Sequence, residues 1–172
     1  MRYTDGFTGK AILALKEAIC AAEELGHTYI GSEHLLLGLL EEGSNAAAAM
    51  LAAQHITAQR VRNALVELVG RGIPAQVQED CLTPALSEIM QQAKAFSKED
   101  GRSLAGTEHL LRSILRTPCC TAVAILKKLG VSLNQLGQSV GRKPLVISVW
   151  RNGEQSEFQR KHCRISFSMG SG

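Results

Sequence analysis

Aromatic residues are scarce in this chain of 172 residues, where phenylalanine, tryptophan and tyrosine together make up 4%. A hydrophobic core must therefore be built from aliphatic residues and alanine, within an apolar content of 45%. This composition favours closely packed helices over an aromatic-rich sheet. A single domain of this length buries roughly 70% of its unfolded surface, so we expect a substantial core.

The chain also lacks a strong charge and a long apolar run. Its formal net charge is +3 and its Lys and Arg residues are scattered, whereas nucleic-acid modules usually carry a clustered basic face. No apolar run approaches the ~18 residues that a membrane span needs. The first residues, Met1 to Asp5, have no signal-peptide core. These absences predict a soluble, cytoplasmic protein that binds neither nucleic acid nor membrane.

Motifs for catalysis and cofactor binding are missing as well. The sequence has no Gly-x-x-x-x-Gly-Lys-[Ser/Thr] phosphate-binding loop, since Gly6 to Lys10 is too short to be one. The five cysteines form no Cys-x-x-Cys pair and no zinc-ligand spacing with the five histidines. We expect reduced structural thiols, with Cys20 buried in a helix. No paired catalytic carboxylates or nucleophile–base set occurs. The sequence predicts no enzyme activity, no catalytic residue, no metal site and no cofactor.

One segment occurs twice, at an offset of 75 positions. Residues Thr28–Leu40 and Ser103–Leu115 share the pattern Gly-[Ser/Thr]-Glu-His-Leu-Leu. Flanking residues match at the same offset without a gap, and the matched pairs include Thr8 with Thr83, Gly26 with Gly101, Ala47 with Ala122 and Leu51 with Leu126. A single gapless offset indicates a tandem duplication.

Each copy has the apolar spacing and the capping residues of four helices. The predicted starts have hydroxyl N-caps at Thr8, Ser32 and Thr57 in the first copy and at Thr83, Thr107 and Ser132 in the second. The predicted fold is all-α, with two tandem four-helix repeats packed with pseudo-twofold symmetry. The expected core leucines are Leu35, Leu36, Leu39, Leu110, Leu111 and Leu115.

The predicted organisation is a helical domain over 1–141 and a tail over 142–172. The domain comprises repeat one (5–70), a linker (71–81) that lacks helical periodicity, and repeat two (82–141). The tail has a run of β-formers, Leu145–Trp150, followed by Asn152-Gly153, a pattern typical of a β-hairpin. We expect a hairpin followed by a disordered end, and the tail is a candidate surface for a homodimer.

The duplicated Gly-[Ser/Thr]-Glu-His-Leu-Leu pattern resembles the Clp N-terminal repeat domain of ClpA-, ClpB- and ClpC-type AAA+ unfoldases. Residues from about Asp5 to Gly141 share the likeness, which is greatest to the ClpC type. Repeat two has diverged further, with Arg102 in place of the family's histidine. The resemblance implies a non-enzymatic module that binds protein substrates or adaptors of the Clp system, with the unfoldase itself as a further candidate partner.

In the family that it resembles, the glutamates matching Glu33 and Glu108 lie at two surface pockets for arginine-phosphorylated segments. A carboxylate can bind a guanidinium in bidentate fashion, and helix N-termini at Thr8 and Thr83 suit a phosphate. The candidate peptide- and phosphoarginine-binding residues are thus Thr8, Glu33, Thr83 and Glu108. The simpler alternative is that both glutamates only compensate helix dipoles, each worth ~0.3–1 kcal/mol.

Several alternatives stay open at this point. His34 and His109 invite a catalytic interpretation, but no nucleophile or third ligand recurs with them, which favours structural, hydrogen-bonded histidines. The chain could be an excised domain, or a stand-alone regulator that competes with an unfoldase's own N-domain. A small-molecule binder or enzyme that reuses the fold is the alternative from another functional class.

Overall fold

The computed structural model describes residues 2–141. The predicted hairpin and the candidate dimer surface of the tail, 142–172, lie outside these residues. Eight α-helices form within the described range: α1 Gly9–Leu25, α2 Ser32–Glu42, α3 Ala46–Ala53, α4 Ala58–Val69, α5 Pro84–Glu99, α6 Thr107–Leu115, α7 Thr121–Lys128 and α8 Leu133–Gly141. The all-α prediction is confirmed for this part of the chain.

Hydroxyl caps begin both first helices, as predicted. The Thr8 side chain accepts a hydrogen bond from the Ala11 N–H, and the Thr83 side chain accepts one from the Leu86 N–H. Pro84 occupies the first position of α5, where a missing N–H costs no intrahelical bond. Each of these caps satisfies a donor that the start of a helix leaves unpaired.

The two repeats share one hydrophobic core. Five of the six predicted core leucines have no measurable exposure, namely Leu35, Leu36, Leu39, Leu110 and Leu111. The sixth, Leu115, is only partly buried because it is the last residue of α6, and its neighbour Ile114 is the fully buried residue there. Across the repeats, α2 and α4 contact α7, while α3 contacts α6 and α8.

Backbone hydrogen bonds interlock the repeats in a pseudo-twofold arrangement. The Thr8 N–H donates to the Ala105 carbonyl at 2.9 Å, and the Thr83 N–H donates to the Ile30 carbonyl at 3.0 Å. The two bonds are equivalent, because Thr83 corresponds to Thr8 and Ala105 corresponds to Ile30 at the offset of 75 positions. Each repeat therefore places the start of its first helix beside the loop that precedes the other repeat's second helix.

The linker docks on the end of α1. Its Gly72 N–H donates to the Leu25 carbonyl at 2.8 Å, and its Val77 N–H donates to the Glu23 carboxylate at 3.0 Å. A Cβ on Gly26 would lie 2.2 Å from the Gly72 carbonyl carbon, so this approach requires glycine. Gly26 also has a left-handed φ of 72°.

The expectation of a buried Cys20 is wrong, because this thiol is exposed on α1. Ala18 and Ala22 face the core, and a residue two positions from either is rotated about 200° around the helix. The alanine-rich composition around Cys20 suggested a buried thiol, but the position of Cys20 around the helix axis places it on the exposed face.

Within the described residues no single helix has the length and apolarity to cross a membrane. Within the same range, α2 and α3 together have the length and apolar composition of a membrane span, but the pair is bent by 94° at the break between the two helices.

Candidate functional site

The candidate site lies at the N-termini of α2 and α6. Glu33 and Glu108 occupy the first turns of these helices, as predicted. The interlocked loops place each glutamate beside the predicted threonine of the other repeat. Thr83 of repeat two borders the loop that leads to Glu33, and Thr8 of repeat one borders the loop that leads to Glu108.

The predicted N-caps of these two helices need a correction. Ser32 and Thr107 are the first helical residues, and the N-caps are the glycines before them. Glycine has no capping side chain, but its own N–H is bonded: the Gly31 N–H donates to His34 Nδ1 at 2.9 Å, and the Gly106 N–H donates to His109 Nδ1 at 2.9 Å. Both histidines are hydrogen-bonded at the start of their helices, and a structural role for them stays a prediction.

The Glu33 side chain is almost fully enclosed, with 5% of its surface exposed. It folds back over Gly31, where a Cβ would lie 2.5 Å from the Glu33 carboxylate. Burial raises the pKa of Glu33, an effect partly offset by its own backbone N–H, by His27 when charged, and by hydrogen bonds from Ser32 and Tyr29. The site thus holds a carboxylate whose ionised form is only partly compensated.

No cation pairs with Glu33 among the described residues. The nearest candidate atom, His34 Nδ1, is 3.9 Å away, but it accepts the Gly31 N–H and carries no proton of its own. Burial, together with nearby His27, lowers the pKa of His34 to about 3. His34 is therefore neutral at physiological pH, and the Glu33 carboxylate has no ion-pair partner in this part of the chain.

A relay of hydrogen bonds sets the histidine tautomers beside Glu33. Since His34 Nδ1 accepts, its Nε2–H donates to His27 Nδ1 at 2.7 Å, and the His27 Nε2–H donates to the Gly70 carbonyl at 2.9 Å. Tyr29 stacks on the His27 ring with centroids 5.5 Å apart. The relay ties the α2 start to the α4 end and occupies both ring nitrogens of His27.

Repeat two has a different arrangement around the equivalent glutamate. Arg102 Nη1 donates to Glu108 Oε1 at 2.9 Å, and the two side chains are 44% and 21% exposed. His109 Nε2 is hydrogen-bonded to Asp100 at 3.1 Å. In the part of the chain that the structure describes, one repeat therefore buries its glutamate without a cation, and the other pairs it with an arginine.

Sequence reasoning named the two glutamates but assigned no role to the residues that surround them. Arg102 and Leu104 stand at the positions of His27 and Tyr29 in the repeat alignment. An alignment of the two copies shows these substitutions, and they indicate that the two glutamates have different surroundings. Among the described residues, no three His, Cys, Asp or Glu side chains group as a metal site requires.

Fold and site together define a duplicated four-helix repeat domain with a Gly-[Ser/Thr]-Glu-His start to each second helix. The family model described as the Clp repeat (R) N-terminal domain matches residues 6–86 and 81–145. The chain belongs to this family. It is 34% identical over 139 residues to the negative regulator of genetic competence ClpC/MecB of Bacillus subtilis strain 168, a match that covers 81% of this chain. The chain spans 16% of the length of that relative.

Solved structures have the same fold. The N-terminal domain of the chaperone ClpD from Arabidopsis thaliana matches with a TM-score of 0.67 and 23% identity, covering 79% of this chain and 95% of that one. A ClpV N-domain in complex with a VipB peptide matches with a TM-score of 0.59 and 17% identity, covering 79% of this chain and 85% of that one. At these identities the likeness concerns the fold.

Proposed function

We propose that this domain is a non-enzymatic recognition module that binds protein substrates or adaptors for a Clp-type AAA+ unfoldase and its protease. In this proposal Glu33 receives an arginine side chain of the bound segment. Thr83 and the start of α5 border the same place. A solved relative of the same fold is a ClpV N-domain that holds a VipB peptide, which supports a peptide ligand for this chain.

The observation that carries the proposal is the buried carboxylate of Glu33, which pairs with no cation among the described residues. Burying an ionised group without a partner cation costs stability. The raised pKa of Glu33 reflects that cost, since burial is its largest cause. Perturbed groups of this kind cluster at functional sites. A cationic ligand would supply the missing charge, and a guanidinium matches a carboxylate in bidentate geometry.

The surroundings support the guanidinium better than a phosphate attached to it. Pro84 occupies the first position of α5 and has no N–H to offer an anion. Ala85 follows it, whereas Lys10 holds the equivalent position in repeat one. An arginine side chain is thus the better-supported part of the ligand. Binding of phosphoarginine must be compared with binding of arginine by experiment.

Titration calorimetry with a capped hexapeptide that contains one arginine tests the proposal. Matched peptides carry citrulline, lysine or phosphoarginine at that position. We expect Glu33→Gln to weaken binding of the arginine peptide about 30-fold, equivalent to ~2 kcal/mol for a charge-assisted pair. The control variant is Glu67→Gln on α4, whose side chain is 63% exposed. Equal binding of the arginine and citrulline peptides, or wild-type affinity in Glu33→Gln, would overturn the proposal.

Stability must be measured in the same variants. Because folding raises the pKa of Glu33 above its unfolded value, the ionised carboxylate opposes folding at pH 7. Glu33→Gln should therefore keep or slightly raise the free energy of unfolding. A loss of binding in this variant then reports on recognition and not on unfolding.

A further inference from the structure

The second carboxylate, Glu108, already has a guanidinium bound to it. Arg102 Nη1 lies 2.9 Å from Glu108 Oε1. Arg102 stands six residues before Glu108, as His27 stands six residues before Glu33. The loop that leads into α6 thus delivers to its own glutamate the chemical group that the proposed ligand would bring.

Repeat one does not fill its site in this way. His27, the counterpart of Arg102, is buried at 8% exposure and bonded on both ring nitrogens, to His34 and to the Gly70 carbonyl. These two bonds occupy both of its ring nitrogens, and among the described residues no hydrogen bond joins His27 to Glu33. Within residues 2–141, this alignment position therefore decides whether each carboxylate pairs with a side chain of its own repeat.

We infer that Arg102 is an internal occupant of the second site, so that the domain binds one arginine-bearing segment, at Glu33, and excludes a second one at Glu108. This inference rests on the proposed function, because it assigns the two related sites different roles. Arg102 is the specificity-determining residue: it occupies Glu108 Oε1, an acceptor that an incoming guanidinium needs, and its charge repels a cation that approaches.

The contact between Arg102 and Glu108 is partly exposed, so a ligand can displace it. The Arg102 side chain is 44% exposed, and exposed ion pairs contribute little to stability. Its replacement should therefore leave the fold intact. A ligand that enters must nevertheless displace a group tethered six residues away and then lie beside its positive charge. We expect these two effects to weaken binding at Glu108 at least about tenfold.

The test uses the full chain with the Glu33→Gln substitution, so that Glu108 is the remaining candidate site for the peptide. Calorimetry with the arginine hexapeptide should show weak or no binding in this background. Adding Arg102→Ala should raise the affinity at least about tenfold, and adding Glu108→Gln to that should remove the gain. Arg102→His restores the residue of repeat one and should behave like Arg102→Ala. Arg102→Lys keeps the charge and should gain less.

The control for net charge is Lys98→Ala, an exposed cation in the last turn of α5, which should give no gain. The comparison concerns Glu108 alone, so its outcome does not depend on Glu33. A Glu108-dependent gain supports the inference even if wild type binds nothing at Glu33. No gain in Arg102→Ala, or two equivalents of peptide bound by wild type, overturns it even if Glu33 binds as proposed.

Discussion

The Ser32 hydroxyl of repeat one accepts a hydrogen bond of 3.1 Å from the backbone N–H of Ala122, near the start of α7 in repeat two. The Thr107 hydroxyl of repeat two accepts one of 3.4 Å from the Ala47 N–H in α3 of repeat one. Each repeat thus satisfies an unpaired helix-end donor of the other. These reciprocal bonds couple the repeats through polar groups as well as through the shared core.

Removing one of these hydroxyls should destabilise the whole domain. Ser32→Ala leaves a buried backbone N–H without its partner, so we expect a loss of ~0.5–2 kcal/mol in the free energy of unfolding. Urea denaturation followed by circular dichroism measures it. Ser103→Ala, at an exposed serine, is the control and should change stability by less than ~0.5 kcal/mol. Equal midpoints for the two variants would contradict the role of Ser32.

The crossing of α1 and α2 depends on Gly38. A Cβ there would lie 2.2 Å from the Ala14 carbonyl oxygen and 2.7 Å from the Ala18 nitrogen. Gly38→Ala must therefore push the helices apart, and we expect a loss of ~1–3 kcal/mol in thermal or urea unfolding.

Gly137 in α8 offers a matched comparison, since no described atom lies within 4 Å of a Cβ placed there. Gly137→Ala should stabilise the domain by up to ~1 kcal/mol, because alanine favours helix. If Gly38→Ala is as stable as wild type, α1 and α2 can move apart without loss of stability, and the prediction is wrong.

Acid should destabilise the domain through His34. Its pKa falls from 6.5 to about 3 on folding, so the unfolded state binds the proton first. The stability due to His34 is complete above pH 6.5 and is lost as the pH falls towards 3, by up to ~1.4 kcal/mol per pH unit. Glu33 opposes this trend, because burial raises its pKa and its proton uptake then favours the folded state.

The measurement is therefore made in Glu33→Gln, by urea denaturation between pH 6.5 and 4.5. Adding His34→Gln should flatten the pH dependence of the free energy of unfolding. In NMR spectra of the folded protein, the His34 ring should keep its Nε2–H tautomer throughout this range. Parallel stability curves, or a His34 ring that titrates near pH 6, would contradict the prediction.

Local sequence patterns predicted the helices well. Thr8, Thr57 and Thr83 cap the helices that the spacing assigned to them, each by accepting an N–H three residues later. Such bonds join neighbours in the chain, so the sequence is sufficient to locate them. The glutamates in the first turns of α2 and α6 were identified for the same reason.

Other features depend on partners that are distant in the chain. Ser32 was predicted as the N-cap of α2, which is wrong; its hydroxyl accepts instead from the Ala122 N–H in α7 of the other repeat, 90 residues away. The crosswise pairing of Thr83 with Glu33 likewise required the interlocked loops. No local pattern contains this information, because it arises only when the two repeats pack.

The sequence by itself determined the duplication, the eight helices and a carboxylate at the start of each second helix, since these follow from periodicity and capping over a few residues. Tertiary structure decided that, within residues 2–141, Glu33 is enclosed without a cation while Glu108 is paired with Arg102. Burial and ion pairing depend on which groups a folded loop brings over a side chain, and the charge state and availability of a carboxylate are set by those groups.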